Sequence, residues 1–213
     1  ASDFASPSIT PKFQEAVCLS RLMSGSEQNL HVDRRWMEVC LHQQGDDGLI
    51  YVPTKGRPWT RRFKPSSYAH GKELFKDMDQ VLSPFICGQM LRTMSLYAAR
   101  DPAGPWADSI HKITDGLRKL AVDGGDYAYY WPGPIYASWD RPPDVKPCYQ
   151  YHMVEMSLIM SGLLRAYRQV GYEPALDLAR KLNAFYRKTF FTPARWNPHN
   201  AWRSSSVPIP WRR

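Results

Sequence analysis

Five breaks punctuate this chain, and their lengths alternate. About five residues around Gly25 are followed by residues 45–82, then 101–104, then 123–149, then 171–173. Between the breaks the apolar residues recur at helical spacing, so the pattern describes six helices in three consecutive hairpins. If neighbouring helices run antiparallel, the short connections lie at one end of the assembly and both long ones at the other.

Each helix carries its own start and stop signals. Thr10 and Pro11 open the first, with Phe13, Ala16, Val17 and Ser20 on one face and Gly25 as its stop. The second runs from near Gln28 to Gly45, with Val32, Trp36, Val39 and Cys40 expected inward and Asp33, Arg34 and Arg35 elsewhere. Ser83 and Pro84 open the third, which continues to Arg100. Pro105 starts the fourth, whose apolar residues Trp106, Ile110, Ile113, Leu117 and Leu120 step by four and three. Residues 150–170 are apolar almost all round and predict a central helix. Gly171 and Pro174 then mark a sixth, ending near Phe190.

The long connections hold Gly45, Gly48, Pro53, Gly56, Pro58, Pro65 and Gly71 in the first and Gly124, Gly125, Pro132, Pro134, Pro142, Pro143 and Pro147 in the second. Neither can continue a helix or form a central strand. The fold class expected is therefore all-α, with a helical-hairpin domain over residues 1–191 and a basic Pro/Trp/Arg-rich tail over residues 192–213.

Composition excludes several function classes. No apolar run reaches the roughly 20 residues of a membrane-spanning helix, so no membrane partner is expected. The four cysteines, Cys18, Cys40, Cys87 and Cys148, show no Cys-x-x-Cys pairing and read as reduced thiols in a soluble protein, with a cytoplasmic setting slightly favoured. The histidines are scattered, with no metal-binding spacing, and no phosphate loop, dinucleotide fingerprint or Gly-x-Ser-x-Gly occurs, so no cofactor and no metal are expected. Of the net charge of +8, half comes from Arg195, Arg203, Arg212 and Arg213 in the tail. The remainder forms no basic stripe, and nucleic acid is not an expected partner. The sequence opens at Ala1 without an initiator Met, as a processed product or a piece of a longer chain would.

What remains distinctive is the content of the two long loops. Tyr51, Trp59, Phe63, Tyr68 and Phe75 occupy the first, and Tyr127, Tyr129, Tyr130, Trp131, Tyr136, Trp139 and Tyr149 the second. Tyr and Trp stack on sugar rings and hydrogen-bond at their tips; they also serve as anchors that hold a long loop down. Acids lie on the same face, among them Asp46, Asp47, Asp77, Asp79, Asp123, Asp126 and Glu155.

Paired carboxylates are what most glycosidic hydrolysis requires. Asp126, between Gly125 and the aromatic cluster Tyr127-Ala128-Tyr129-Tyr130-Trp131, where desolvation would raise its carboxyl, is the expected proton donor, with Asp47 or Glu155 as its partner. Tyr51, Trp59, Arg61, Tyr129, Tyr130, Trp131, Trp139 and His152 are the expected substrate-binding residues. Lys55, Arg57, Arg61, Arg62, Lys64 and Arg141 read first as a solvated basic loop, and would also suit an acidic sugar.

The hairpins, the Gln-Gln-Gly-Asp-Asp-Gly-Leu-Ile-Tyr turn at residues 43–51 and the Gly-Arg-Pro-Trp of residues 56–59 together resemble the six-hairpin glycosidase-type proteins. The resemblance implies an α/α toroid in which long loops at one end build a carbohydrate cleft, where acids hydrolyse or eliminate glycosidic bonds. It carries over no catalytic residue. Three hairpins make half a ring, so it further implies a fragment, a partial toroid, or a homodimer or other complementary half that completes the ring. Two other functions fit an all-α chain: a non-catalytic helical-repeat binding module or inactive fragment, and a terpenoid-cyclase-like protein, of whose Asp-rich motif Asp77-Met78-Asp79 is a faint echo.

Overall fold

The computed structural model describes residues 9–53, 80–130 and 149–190, excepting the side chains at 9–10, 52–53, 80–81, 149–154 and 190. It contains six main helices: α1 (Ile9–Ser24), α2 (Leu30–His42), α3 (Pro84–Arg100), α4 (Trp106–Leu120), α5 (Tyr149–Val170) and α6 (Glu173–Phe190). The chain is all-α, as its periodicity requires. Gly25 and Gly171 end α1 and α5 at φ values of 64° and 69°, a left-handed conformation open to glycine, and their N–H groups return to the carbonyls of Arg21 and Tyr167. Residues 192–213 lie outside the described residues.

Side-chain pairs fix the helix directions. Thr93 Oγ1 bonds the Pro11 carbonyl and Arg92 pairs with Glu15, while Arg100 reaches Cys18, so α1 and α3 run parallel. Gly88 abuts Ile159 and Arg165 joins the same Glu15, so α5 runs parallel to both. Gln14 bonds the Trp36 carbonyl and Arg21 pairs with Asp33, which sets α2 antiparallel to α1. The odd helices thus form a row, α1 on α3 on α5, and α2, α4 and α6 each pack on their hairpin partner. The amino ends of α3 and α5 share one end of the row with the carboxyl ends of α2 and α6.

Two short ladders, absent from the sequence expectation, sit at that end. β1 (Tyr51–Pro53) pairs antiparallel with β2 (Gln80–Leu82), Tyr51 opposite Leu82, and β3 (Val122–Asp123) pairs with β4 (Ala128–Tyr129). Each is too short for a period-2 pattern to register. The first arises because the outgoing and returning chain flank one connection and satisfy each other's backbone groups.

The core contradicts three expectations. The inward face of α1 is Gln14 and Cys18, whereas Phe13 is 62% exposed. On α2 the buried residues are Asp33 and Cys40, and Val32 faces outward. Both faces were misassigned because their polar residues are inward, paired with arginines or backbone. The central helix is α3, with twelve buried residues. Its partner α5 leaves Ser161, Leu164 and Arg168 exposed. Ile86, Met90, Leu91 and Met94 of α3 form one buried cluster with Leu49, Ile110, Ile113, Leu117, Ile159 and Leu163, all essentially inaccessible to water. Each contributes about 2 kcal/mol by burial.

Candidate functional site

Asp47 lies in the turn that follows α2. Its Oδ1 accepts the Leu49 N–H at 3.0 Å and its Oδ2 accepts the Tyr51 hydroxyl at 2.6 Å. The turn is pressed onto α4: Gly48, at φ 84°, stands so close that a Cβ there would lie 2.1 Å from the Lys112 carbonyl oxygen, and Gly116 meets the Asp47 carbonyl from the other side. Gln44 Nε2 adds bonds to the carbonyls of Gly48 and Ser109. Asp47 is therefore held on a rigid support.

From this turn the Ile50 N–H reaches Cys87 Sγ in the first turn of α3. The next residue, Gly88, contacts the backbone of Ile159, one turn beyond Glu155 in α5. Asp47, just after α2, and Glu155, in the first turns of α5, thus both belong to the end where the long connections join the helices.

Glu155 is partly buried and has no hydrogen-bond or ion-pair partner among the described residues. Desolvation raises its carboxyl from 4.5 to about 7. Tyr186 of α6 lies near enough to feel its charge, and burial, with that charge, raises the Tyr186 hydroxyl as well.

Asp126 occupies a different setting from the one expected. It is exposed, it forms an ion pair with Lys188, and that bond holds its carboxyl below the ordinary range. The sequence expectation of a desolvated donor fails there because Asp126 stands in water while Tyr129 and Tyr130 are buried. Tyr129 and Tyr130 are buried at 6% and 3% exposure, so neither offers a free stacking face. Tyr129 stacks on Phe185 at 5.1 Å, Tyr127 lies 6.0 Å from the same ring, and the Tyr130 hydroxyl donates to the Leu117 carbonyl. These side chains anchor the β3–β4 hairpin to α4 and α6. Lys188 covers the Tyr127 ring at 5.0 Å and Lys181 pairs with Asp123, closing the hairpin's outer side.

Trp59, Arg61, Trp131 and Trp139 lie outside the described residues, as do Lys55, Arg57, Arg62, Lys64, Arg141, Asp77 and Asp79; His152 belongs to α5, but its side chain lies outside them. Among the described residues no group of three or more His, Cys, Asp or Glu side chains could hold a metal ion. No helix among them is long and apolar enough to cross a membrane. Cys18, Cys40 and Cys87 are free and buried, and burial pushes Cys40 and Cys87 up to about 12. They are unsuited to nucleophilic work.

Sequence reasoning missed Tyr186 and Lys188, whose roles depend on α6 folding back against α5 and the β3–β4 hairpin. It also missed a group of arginines, Arg165, Arg168 and Arg180, that share a groove between α5 and α6. No family model matches the chain, and neither a curated protein nor a solved structure does.

Proposed function

We propose that this is a carbohydrate-active protein of glycoside-hydrolase type, with Glu155 as proton donor and Asp47 as its carboxylate partner. The observation that carries the reading is Glu155 itself, a partly buried carboxyl without a partner among the described residues, whose proton is held up to about pH 7 by desolvation. A general acid needs that combination, because it must be protonated at the working pH and able to give the proton to a glycosidic oxygen.

Asp47 supplies the complement. Both its oxygens accept hydrogen bonds on a fixed turn, the setting of a carboxylate that activates water or attacks the anomeric carbon. In this scheme Glu155 protonates the leaving oxygen as the bond to the anomeric carbon breaks, and Asp47 acts from the opposite face. The row of parallel odd helices with loops joined at one end is the arrangement that an α/α toroid would use, which supports the reading without assigning the sugar.

The deciding experiment is hydrolysis of a panel of aryl glycosides and aryl glycuronides by wild type, Glu155→Gln and Asp47→Asn. Turnover by wild type that falls at least 100-fold in both variants is expected. Turnover unchanged in Glu155→Gln would reject the assignment.

The second reading, a non-catalytic helical-hairpin binding module, is favoured by the burial of Tyr129 and Tyr130, which removes two of the expected stacking faces. It predicts no turnover on any member of that panel, together with saturable binding of one of them.

A further inference from the structure

The face of α5 opposite Glu155 carries a second feature. Ser157, Met160, Ser161, Leu164, Arg165, Arg168 and Gln169 recur at helical spacing and form one wall of a groove of about 940 Å³; Ala179, Arg180 and Asn183 of α6 form the other. The Ile159, Gly162 and Ala166 face of α5 packs inward, so this groove is separate from the Asp47 and Glu155 site.

The groove is amphipathic and unevenly charged. Arg165 and Arg168 stand one turn apart, within about 6 Å, and Arg180 faces them from α6. Arg165 already pairs with Glu15 at 3.0 Å. Arg168 and Arg180, both exposed, have no ion-pair or hydrogen-bond partner among the described residues. Toward the amino end of α5 the lining changes to Ser157, Ser161 and Asn183, which are neutral hydrogen-bonding groups.

We propose that this groove binds an acidic polyol, a sugar acid or sugar ester, with one oxyanion at the arginine end and hydroxyl groups along the serine and asparagine end. Guanidinium groups take carboxylate, phosphate or sulfate through paired N–H bonds, and Arg168 and Arg180 have charge to spare for an anion, whereas that of Arg165 is already committed to Glu15. A nucleic acid or other repeating polyanion would call for positive charge along the whole groove, and here it is confined to one end. A helix from another chain would call for an unbroken apolar stripe, and here Met160 and Leu164 are interrupted by Ser161, Arg165 and Arg168. The proposal does not rest on the glycosidic chemistry of the other face.

Titration calorimetry on the full chain tests it, with digalacturonate, glucose 6-phosphate, inorganic phosphate and maltose as probes. We expect at least one of the two acidic sugars to bind at least 10-fold more tightly than maltose and inorganic phosphate, with affinity falling as salt rises. The double variant Arg168→Gln/Arg180→Gln should lose at least 10-fold with an unchanged circular dichroism spectrum and melting midpoint. Glu155→Gln should bind as wild type does, which separates failure of this proposal from failure of the hydrolase reading. Equal affinity in wild type and the double variant overturns the proposal. So does inorganic phosphate binding as tightly as the sugar ester, or a self-association that the double variant abolishes.

Discussion

Gly88 and Gly162 bring α3 and α5 together backbone to backbone: a Cβ added to Gly162 would lie 2.0 Å from the Gly88 carbonyl oxygen, and one added to Gly88 would lie 2.5 Å from the Ile159 Cα. Exposed helical glycines usually gain up to about 1 kcal/mol on replacement by alanine. Here the sign reverses, because the obstacle is backbone that cannot swing aside. Gly162→Ala and Gly88→Ala should each lose about 3 kcal/mol in urea denaturation. A stabilised alanine variant would mean that the helices are further apart.

Glu155 makes stability depend on pH. Its folded-state value, about 7, lies above the ordinary 4.5. Between those values the native state therefore holds more protons than the unfolded chain, and stability falls as pH rises. The loss is complete above about pH 7 and amounts to something on the order of 3 kcal/mol. Glu155→Gln should flatten the urea midpoint between pH 5 and 8. A wild-type profile that rises across this interval would contradict a desolvated carboxyl at this position.

Asp126 should behave in the opposite way. It is exposed and ion-paired with Lys188, so Asp126→Asn should leave the denaturation midpoint unchanged and leave any measured turnover intact. A 100-fold loss of turnover in this variant would restore it as a catalytic candidate.

Asp33 sits among α1, α2 and α3, where its Oδ2 takes both Arg21 and Arg100 and its side chain is 6% exposed. Asp33→Ala strands two arginines in a partly buried site and should cost about 3 kcal/mol. Glu38, paired with Arg35 in water, is the contrast: Glu38→Ala should change stability by no more than about 0.5 kcal/mol. Equal effects from the two would show that burial does not govern these pairs.

Cys40 and Cys87 should resist iodoacetamide at pH 8 in the folded protein and react promptly in urea. Both are inaccessible, and their thiolates are strongly disfavoured. Rapid labelling of either under native conditions would reveal local opening of the α1–α2 hairpin or of the start of α3.

Helix existence was legible because cap, proline and glycine signals are local. Pro84 and Arg100 bound α3 as the periodicity predicts, and Gly25 and Gly171 stop their helices. The faces of α1 and α2 were not legible. Gln14 and Asp33 look like surface residues until the Trp36 carbonyl, Arg21 and Arg100 are brought to them from other helices.

The site followed the same division. Asp47 could be assigned to a turn from Asp-Gly alone, but the contrast between Asp126 and Glu155 depends on Lys188 and Tyr186, 62 and 31 residues further on. Aromatic clustering near Asp126 suggested desolvation; those rings instead spend their faces on Phe185.

Glu15 ends with a reach that local repeats lack. One carboxylate on α1 receives Arg92 of α3 at 2.8 Å and Arg165 of α5 at 3.0 Å, and the second of these partners is 150 residues away. Stacked repeats that touch only their neighbours can peel apart from either end. A shared ion that clamps the first hairpin to the last denies the chain that route, so loosening α5 at one edge withdraws support from α1 at the other. The first and last hairpins are thereby tied edge to edge through one carboxylate, a contact that a stack of nearest-neighbour repeats does not make.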